Sequence, residues 1–128
     1  MNTKIIMTGS AILMGMVGVA LTFMPQEIAT YFSFPTETSS VIVFQILGAL
    51  YFGFAMTNWT AKASLIGGIY ARPIAIGNLT HFIIAALALV KAYSSSFLLA
   101  LLVLTCIYSL FAIAFAIIFF THPVKQKE

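Results

Sequence analysis

The stretch FLLALLVLTCIYSLFAIAFAIIFFT, residues 97–121, runs for 25 residues without a charged side chain. A helix rises about 1.5 Å per residue, so about 20 apolar residues cross a hydrocarbon core of roughly 30 Å. The stretch is therefore long enough to span a bilayer as one helix. Pro123, just beyond its end, would stop that helix.

Three further segments have the same apolar character. With the first stretch they predict four spans, at about 5–24, 40–60, 73–93 and 97–121. Pro25 ends the first span, Trp59 is a typical interfacial anchor at the end of the second, and Pro73 suits the first turn of the third. We therefore expect one four-span transmembrane domain over residues 1–128.

The composition supports a membrane protein. Of the 128 residues, 62% are hydrophobic and 7% are charged, and the mean hydropathy is +1.09. A soluble domain carries about 25% charged residues, because its surface must be solvated. The predicted fold class is thus all-α: a polytopic, antiparallel four-transmembrane-helix bundle with a short interfacial helix after the first span.

The basic residues predict the orientation. Five of the six belong to the two termini and the second loop: Lys4, Lys62, Arg72, Lys125 and Lys127. The first loop has none and the third has Lys91. Because basic residues favour the cytoplasmic side, we expect both termini to be cytoplasmic. Arg72 is then a topology signal and a lipid-phosphate contact, with a ligand contact as the alternative.

The first loop, PQEIATYFSFP at 25–35, lies between two prolines. Ile28, Tyr31 and Phe32 share one helical face there, which predicts a short amphipathic helix in the outer interface, capping the bundle.

Small residues at helical spacing predict how the spans pack, since helices in lipid associate by close backbone approach and interhelical hydrogen bonds. The predicted packing faces are Ala11, Gly15, Gly18 and Thr22 on the first span; Gly48, Ala49 and Gly53 on the second; Asn78, His81, Ala85 and Ala88 on the third; and Thr105, Ser109, Ala112 and Ala116 on the fourth.

Four polar side chains fall within the spans: Gln45, Asn58, Asn78 and His81. In one interpretation Asn58, Asn78 and His81 line a polar pocket in the cytoplasmic half of the membrane, because intramembrane ionisable residues are often functional. In the other, the same groups hydrogen-bond across helices and hold their register.

Several function classes are excluded by missing residues. The chain has no aspartate, and Glu27, Glu37 and Glu128 all lie outside the predicted spans. A proton-coupled exporter needs a membrane carboxylate, and a thiol-based quinone reductase needs paired cysteines, whereas Cys106 is alone. We expect no catalytic residue, metal site or cofactor. Since the basic residues are scattered, we expect no nucleic-acid partner.

The segment FQILGALYFGFAMTNW, residues 44–59, resembles small four-helix bacterial inner-membrane proteins of the DoxX-like kind. In that group a polar residue followed by Leu-Gly-Ala opens the second helix and Asn–Trp closes it, here Gln45, Leu47, Gly48, Ala49, Asn58 and Trp59. Relatives often carry arginine at the position of Gln45. The resemblance implies a bacterial inner-membrane location and a role as an accessory subunit or a binder of an apolar molecule.

Three functions follow as hypotheses. The first is a non-enzymatic accessory or interaction subunit that acts by helix packing, in a larger membrane complex or a homo-oligomer. The second is a binder or carrier of a small lipophilic molecule, a quinone or lipid, held by His81 and Asn78. The third is an oligomeric channel, which the small number of polar positions on each helix disfavours.

Overall fold

The computed structural model describes residues 2–63 and 71–121, and these ranges contain five α-helices and no β-strand. The helices are α1 (Thr3–Phe23), α2 (Pro25–Tyr31), α3 (Thr38–Ala61), α4 (Arg72–Ser96) and α5 (Leu99–Phe120). The predicted all-α fold, with four long apolar helices and a short helix after the first, is confirmed. Lys125, Lys127 and Glu128, on which part of the charge argument depends, lie outside the described residues.

The four long helices are long and apolar enough to cross a membrane. The shortest, α1, has 21 residues, which corresponds to about 31 Å and matches a hydrocarbon core of roughly 30 Å. Large apolar side chains cover their outer surfaces; Leu50, Leu87 and Leu110 are each 66–68% exposed. These helices indicate a multi-pass integral membrane protein.

The junction between α4 and α5 lies later in the chain than the apolar pattern suggests. The hydroxyls of Ser94, Ser95 and Ser96 donate to backbone carbonyls three or four residues earlier, so the serine run continues α4 to Ser96. Phe97 then takes a left-handed conformation (φ 52°), and its N–H donates to the Tyr93 carbonyl at 2.7 Å. This turn ends α4, and α5 begins at Leu99.

The short helix α2 begins with Pro25, immediately after α1. Its buried residues are Pro25 and Ala29, with Ile28 and Phe32 half-buried beside them. Tyr31, predicted to share a helical face with Ile28 and Phe32, lies at the exposed edge of that face, since its side chain is 60% exposed. The packed positions follow the spacing i, i+3, i+4, i+7 from Pro25, and Tyr31 falls outside that stripe.

The described residues form two compact units, one of residues 7–62 and one of residues 71–121 with residues 2–6 and 63. In the first unit, α1 and α3 run antiparallel, and α2 packs on α3. The helices approach closely at two glycines. A Cβ placed on Gly18 would lie 2.8 Å from the Phe52 backbone nitrogen, and one on Gly48 would lie 2.8 Å from the Gly18 carbonyl oxygen.

In the second unit, α4 and α5 form an antiparallel pair held by aromatic rings. Phe82 of α4 is fully buried and stacks on Phe111 and Phe115 of α5, at centroid distances of 5.0 and 5.6 Å. Tyr108 meets the same ring edge-on at 5.3 Å. Offset and edge-to-face rings of this kind add favourable contact beyond their buried area.

The predicted small-residue faces are confirmed for α1, where Ala11 and Gly18 are buried. Of the three small residues predicted on the α3 face, only Gly48 is buried. Ala49 and Gly53 are exposed, so their predicted place in the packing face is wrong. A Cβ on Gly53 would meet nothing within 4 Å.

The predicted faces of α4 and α5 are partly packed. Asn78 is buried, Ala88 is exposed, and the other predicted residues are half-buried: His81, Ala85, Thr105, Ser109, Ala112 and Ala116. The large buried side chains between these helices are the rings of Phe82, Tyr108 and Phe115. The stacked rings supply the dispersion contacts between α4 and α5. Between α1 and α3 these contacts come instead from close approach of the two backbones.

Candidate functional site

A buried polar site joins α1 and α3. The Asn58 side-chain amide donates to the Ser10 hydroxyl at 3.1 Å and lies 3.7 Å from the Met14 sulfur. Ser10 in turn donates to the Met7 carbonyl at 3.0 Å. Ser10 and Asn58 are both 0% exposed. A chain of hydrogen bonds thus crosses between two apolar helices, which holds their register.

Ser10 is absent from the polar residues singled out in the sequence, although a signal for it exists. Ser10, Met14 and Gly18 follow one another at intervals of four residues. Ser10 therefore belongs to the same helical face as Gly18, where α1 contacts α3. A hydroxyl on a packing face is a ready partner for an amide on the facing helix.

Asn78 lies on α4 and is 0% exposed. Its amide donates to the Ile74 carbonyl, one turn earlier in the same helix, at 2.9 Å. This bond removes part of the cost of placing an amide inside apolar surroundings. It also orients the side chain along its own helix.

His81 lies one turn beyond Asn78 on α4 and is half-buried. Its ring meets Phe82 nearly edge-on at 5.2 Å and faces Tyr108 of α5, tilted, at 5.9 Å. The imidazole is therefore the polar end of the aromatic cluster that holds α4 to α5.

Gln45 and Arg72 lie at the surface. Gln45, on the second turn of α3, is exposed, and its amide approaches the Thr22 carbonyl at 3.5 Å. Arg72 is the first residue of α4 and is exposed. That position suits the predicted contact with lipid phosphate.

These residues do not all belong to one site. Gln45 and Asn58 lie 13 positions apart on α3, or about 20 Å along the helix axis, so they act separately. Asn78 and His81 share a face of α4, while Asn58 belongs to the unit of residues 7–62. The pocket of Asn58, Asn78 and His81 stays a prediction.

The C-terminal end of α3 carries a contact that the sequence analysis does not predict. The Lys62 ammonium lies over the Trp59 ring, 2.9 Å from its centroid. A tryptophan and a lysine in this arrangement combine an aromatic interfacial anchor with a cation–π contact. The spacing of three residues at the end of a helix is the signal that could have found it.

No group of three or more His, Cys, Asp or Glu side chains that could hold a metal ion occurs in residues 2–63 and 71–121. Cys106 is exposed on α5. The candidate sites described above consist of amides, hydroxyls, one imidazole, aromatic rings and the cations of Lys62 and Arg72.

Comparisons with protein-family models, with curated proteins and with solved structures found no match to this chain. The resemblance to DoxX-like proteins stays a prediction.

Proposed function

We propose that this integral membrane protein is non-enzymatic and acts by associating with other transmembrane helices through one face of α3. That face, the α3 stripe, consists of Gln45, Ala49, Gly53 and Thr57. These residues follow one another at intervals of four, and all four are exposed. The exposed stripe is the observation that carries the proposal.

The chemistry of the α3 stripe suits a helix partner. Small residues four apart let two backbones approach, as in right-handed helix pairs of the GxxxG type. The space beside Gly53 is open, since an added Cβ would meet nothing within 4 Å. The Thr57 hydroxyl bonds to the Gly53 carbonyl, so it lies against its own helix and leaves the approach clear.

Small residues also allow close approach between two helices of this chain. Gly18 and Gly48 bring the backbones of α1 and α3 into contact, which shows that small residues close a helix pair in this protein. Among the four spans, α3 has the lowest buried share, 11% against 33% for α1. It therefore has the most surface to offer to a partner, either a second copy of the chain or a larger membrane complex.

Substitutions on the α3 stripe test the proposal. Ala49→Ile and Gly53→Ile should abolish association, measured by in-membrane crosslinking through Thr57→Cys in a Cys106→Ala background. Ala88→Ile is the matched control, because Ala88 is an exposed small residue on α4. A crosslink between two copies indicates a homo-oligomer, and one to another protein indicates an accessory subunit. Unchanged association in both isoleucine variants would refute the proposal.

A second candidate function is the binding of a small lipophilic molecule, such as a quinone or lipid, at His81 and Asn78. Its support is that a half-buried imidazole and a buried amide lie one turn apart on α4, at the polar end of the aromatic cluster that contains Phe82 and Tyr108. His81→Ala should then release a co-purifying small molecule without lowering the unfolding temperature. A lowered unfolding temperature with no released molecule would favour a purely structural histidine.

An oligomeric channel is the third candidate, and ion flux through liposomes containing the protein tests it.

The location in the bacterial inner membrane and the cytoplasmic termini remain parts of the proposal. They are supported by the charge pattern and by the resemblance to DoxX-like proteins.

A further inference from the structure

A groove of about 430 Å³ opens where the connection from α2 meets the first turns of α3. It is lined by Phe34, Pro35, Ser39, Ser40, Val43 and Phe44. All six belong to the unit of residues 7–62. Sites of a few hundred cubic ångströms, mostly apolar with a few polar groups, are typical of small-molecule binding. We call this site the Phe34 groove.

The walls of the Phe34 groove change character along α3. Phe34 and Phe44 lie with their ring centroids 5.8 Å apart, and Phe34 and Val43 are 54% and 64% exposed. Ser39 and Ser40 belong to the first turn of the same helix. One end of the groove is therefore apolar and lies inside the span, while the other carries hydroxyls where the span begins. A phospholipid likewise has an apolar acyl chain at one end and polar ester and phosphate groups at the other.

The surrounding charges favour one kind of headgroup. Residues 24–61 contain two acidic residues, Glu27 and Glu37, and no lysine or arginine. Glu37 is exposed and sits at the start of α3, where its side chain makes no capping hydrogen bond to the helix. Glu37 is two residues from Pro35 and two residues from Ser39 in the sequence, and both of these neighbours line the groove. An anionic headgroup would be repelled there, whereas an ammonium group would be attracted.

We propose that the Phe34 groove binds a phospholipid with an ethanolamine headgroup. An acyl chain lies against Phe34, Val43 and Phe44. The hydroxyls of Ser39 and Ser40 donate to phosphate or ester oxygens, and Glu37 attracts the ammonium. This site is independent of the association proposed for the α3 stripe.

Native mass spectrometry of the full chain tests this proposal. The protein is released from nanodiscs that contain equal amounts of palmitoyl-oleoyl phosphatidylethanolamine and phosphatidylglycerol. We expect retained phosphatidylethanolamine, and a decrease of about tenfold in Val43→Trp, whose added ring fills the groove. Leu50→Trp is the matched control, since Leu50 is 66% exposed on the same helix and does not line the groove. It should retain lipid as the unchanged protein does.

The headgroup is tested separately. Glu37→Gln should remove the preference for phosphatidylethanolamine over phosphatidylglycerol while lipid is still retained. Equal retention by Val43→Trp and the unchanged protein, with helix content preserved by circular dichroism, would overturn the site. Equal retention of the two lipids by the unchanged protein would overturn the headgroup assignment. The same spectra report the oligomeric state, so a loss of self-association through the α3 stripe is seen independently.

Discussion

Gly18 of α1 and Gly48 of α3 bring two helix backbones into direct contact. A Cβ on Gly48 would lie 2.8 Å from the Gly18 carbonyl oxygen and 2.9 Å from the Thr22 nitrogen, and it would overlap the Thr22 hydroxyl. Most of these neighbours are backbone atoms, which cannot turn aside as a flexible side chain can. The position therefore tolerates only glycine.

Gly18→Ala and Gly48→Ala should each destabilise the α1–α3 pair by about 1–3 kcal/mol, the usual cost of overpacking a closely fitted contact. Unfolding by SDS in detergent micelles, followed by circular dichroism, measures this. Gly15→Ala and Gly53→Ala are the controls, because an added Cβ would meet Ala55 at 3.7 Å in the first and nothing within 4 Å in the second. Both should be neutral or slightly stabilised, and equal losses in all four variants would contradict this account.

The hydrogen bond between Asn58 and Ser10 should couple α1 to α3. A double-mutant cycle of Ser10→Ala and Asn58→Ala should give an interaction energy of about 0.6 kcal/mol, the average for hydrogen bonds between membrane helices, with about 1.7 kcal/mol as the upper limit. Thr57→Ala is a suitable control, since its hydroxyl bonds within its own helix. A coupling energy of zero would show that the two side chains contribute independently.

The ring of Phe82 should be the main packing element between α4 and α5. Phe82→Ala should cost about 1–3 kcal/mol, less than the 3–5 kcal/mol typical of soluble cores. The reason is that the ring stays in an apolar medium when the helices separate, so only packing contacts are lost. Phe120→Ala is the control, because Phe120 is 74% exposed. A loss in Phe82→Ala no larger than that of the control would rule out this role.

The charge pattern predicts that the Lys62 end of α3 is cytoplasmic and that the Ser39 end is on the outer side of the membrane. In intact cells carrying a Cys106→Ala background, a membrane-impermeant maleimide should label Ser39→Cys and should leave Ala63→Cys unlabelled until the cells are opened. Labelling of Ala63→Cys in intact cells, with Ser39→Cys protected, would reverse the proposed orientation.

Much of the fold could be predicted because its signals are local. The charge-free run at 97–121 and the prolines at 25 and 73 indicate where helices lie and where they begin or end, whatever those helices pack against. The short helix at Pro25–Tyr31 follows in the same way from the spacing between two prolines. Asn58 and His81 were identifiable as candidates because polar groups are costly in hydrocarbon.

What each candidate contacts was less predictable. Nothing in the local sequence distinguishes Asn58, which bonds to another helix, from Asn78, which bonds to its own. A serine hydroxyl can be satisfied within its own helix, so a serine in a span does not by itself indicate a bond to another helix. The role of Ser10 therefore could not be predicted from its presence alone.

The sequence by itself indicated that lipid surrounds the long helices, and it gave their number and approximate limits. These properties depend on hydropathy and chain geometry alone. Only the tertiary structure decided that Gly48 packs while Gly53 faces outward, and that rings rather than small residues join α4 to α5. In a soluble helix the contrast between polar and apolar residues marks the buried face. Here the surface that meets lipid is as apolar as the surface that meets protein, so the packed face is defined only by which side chains fit together.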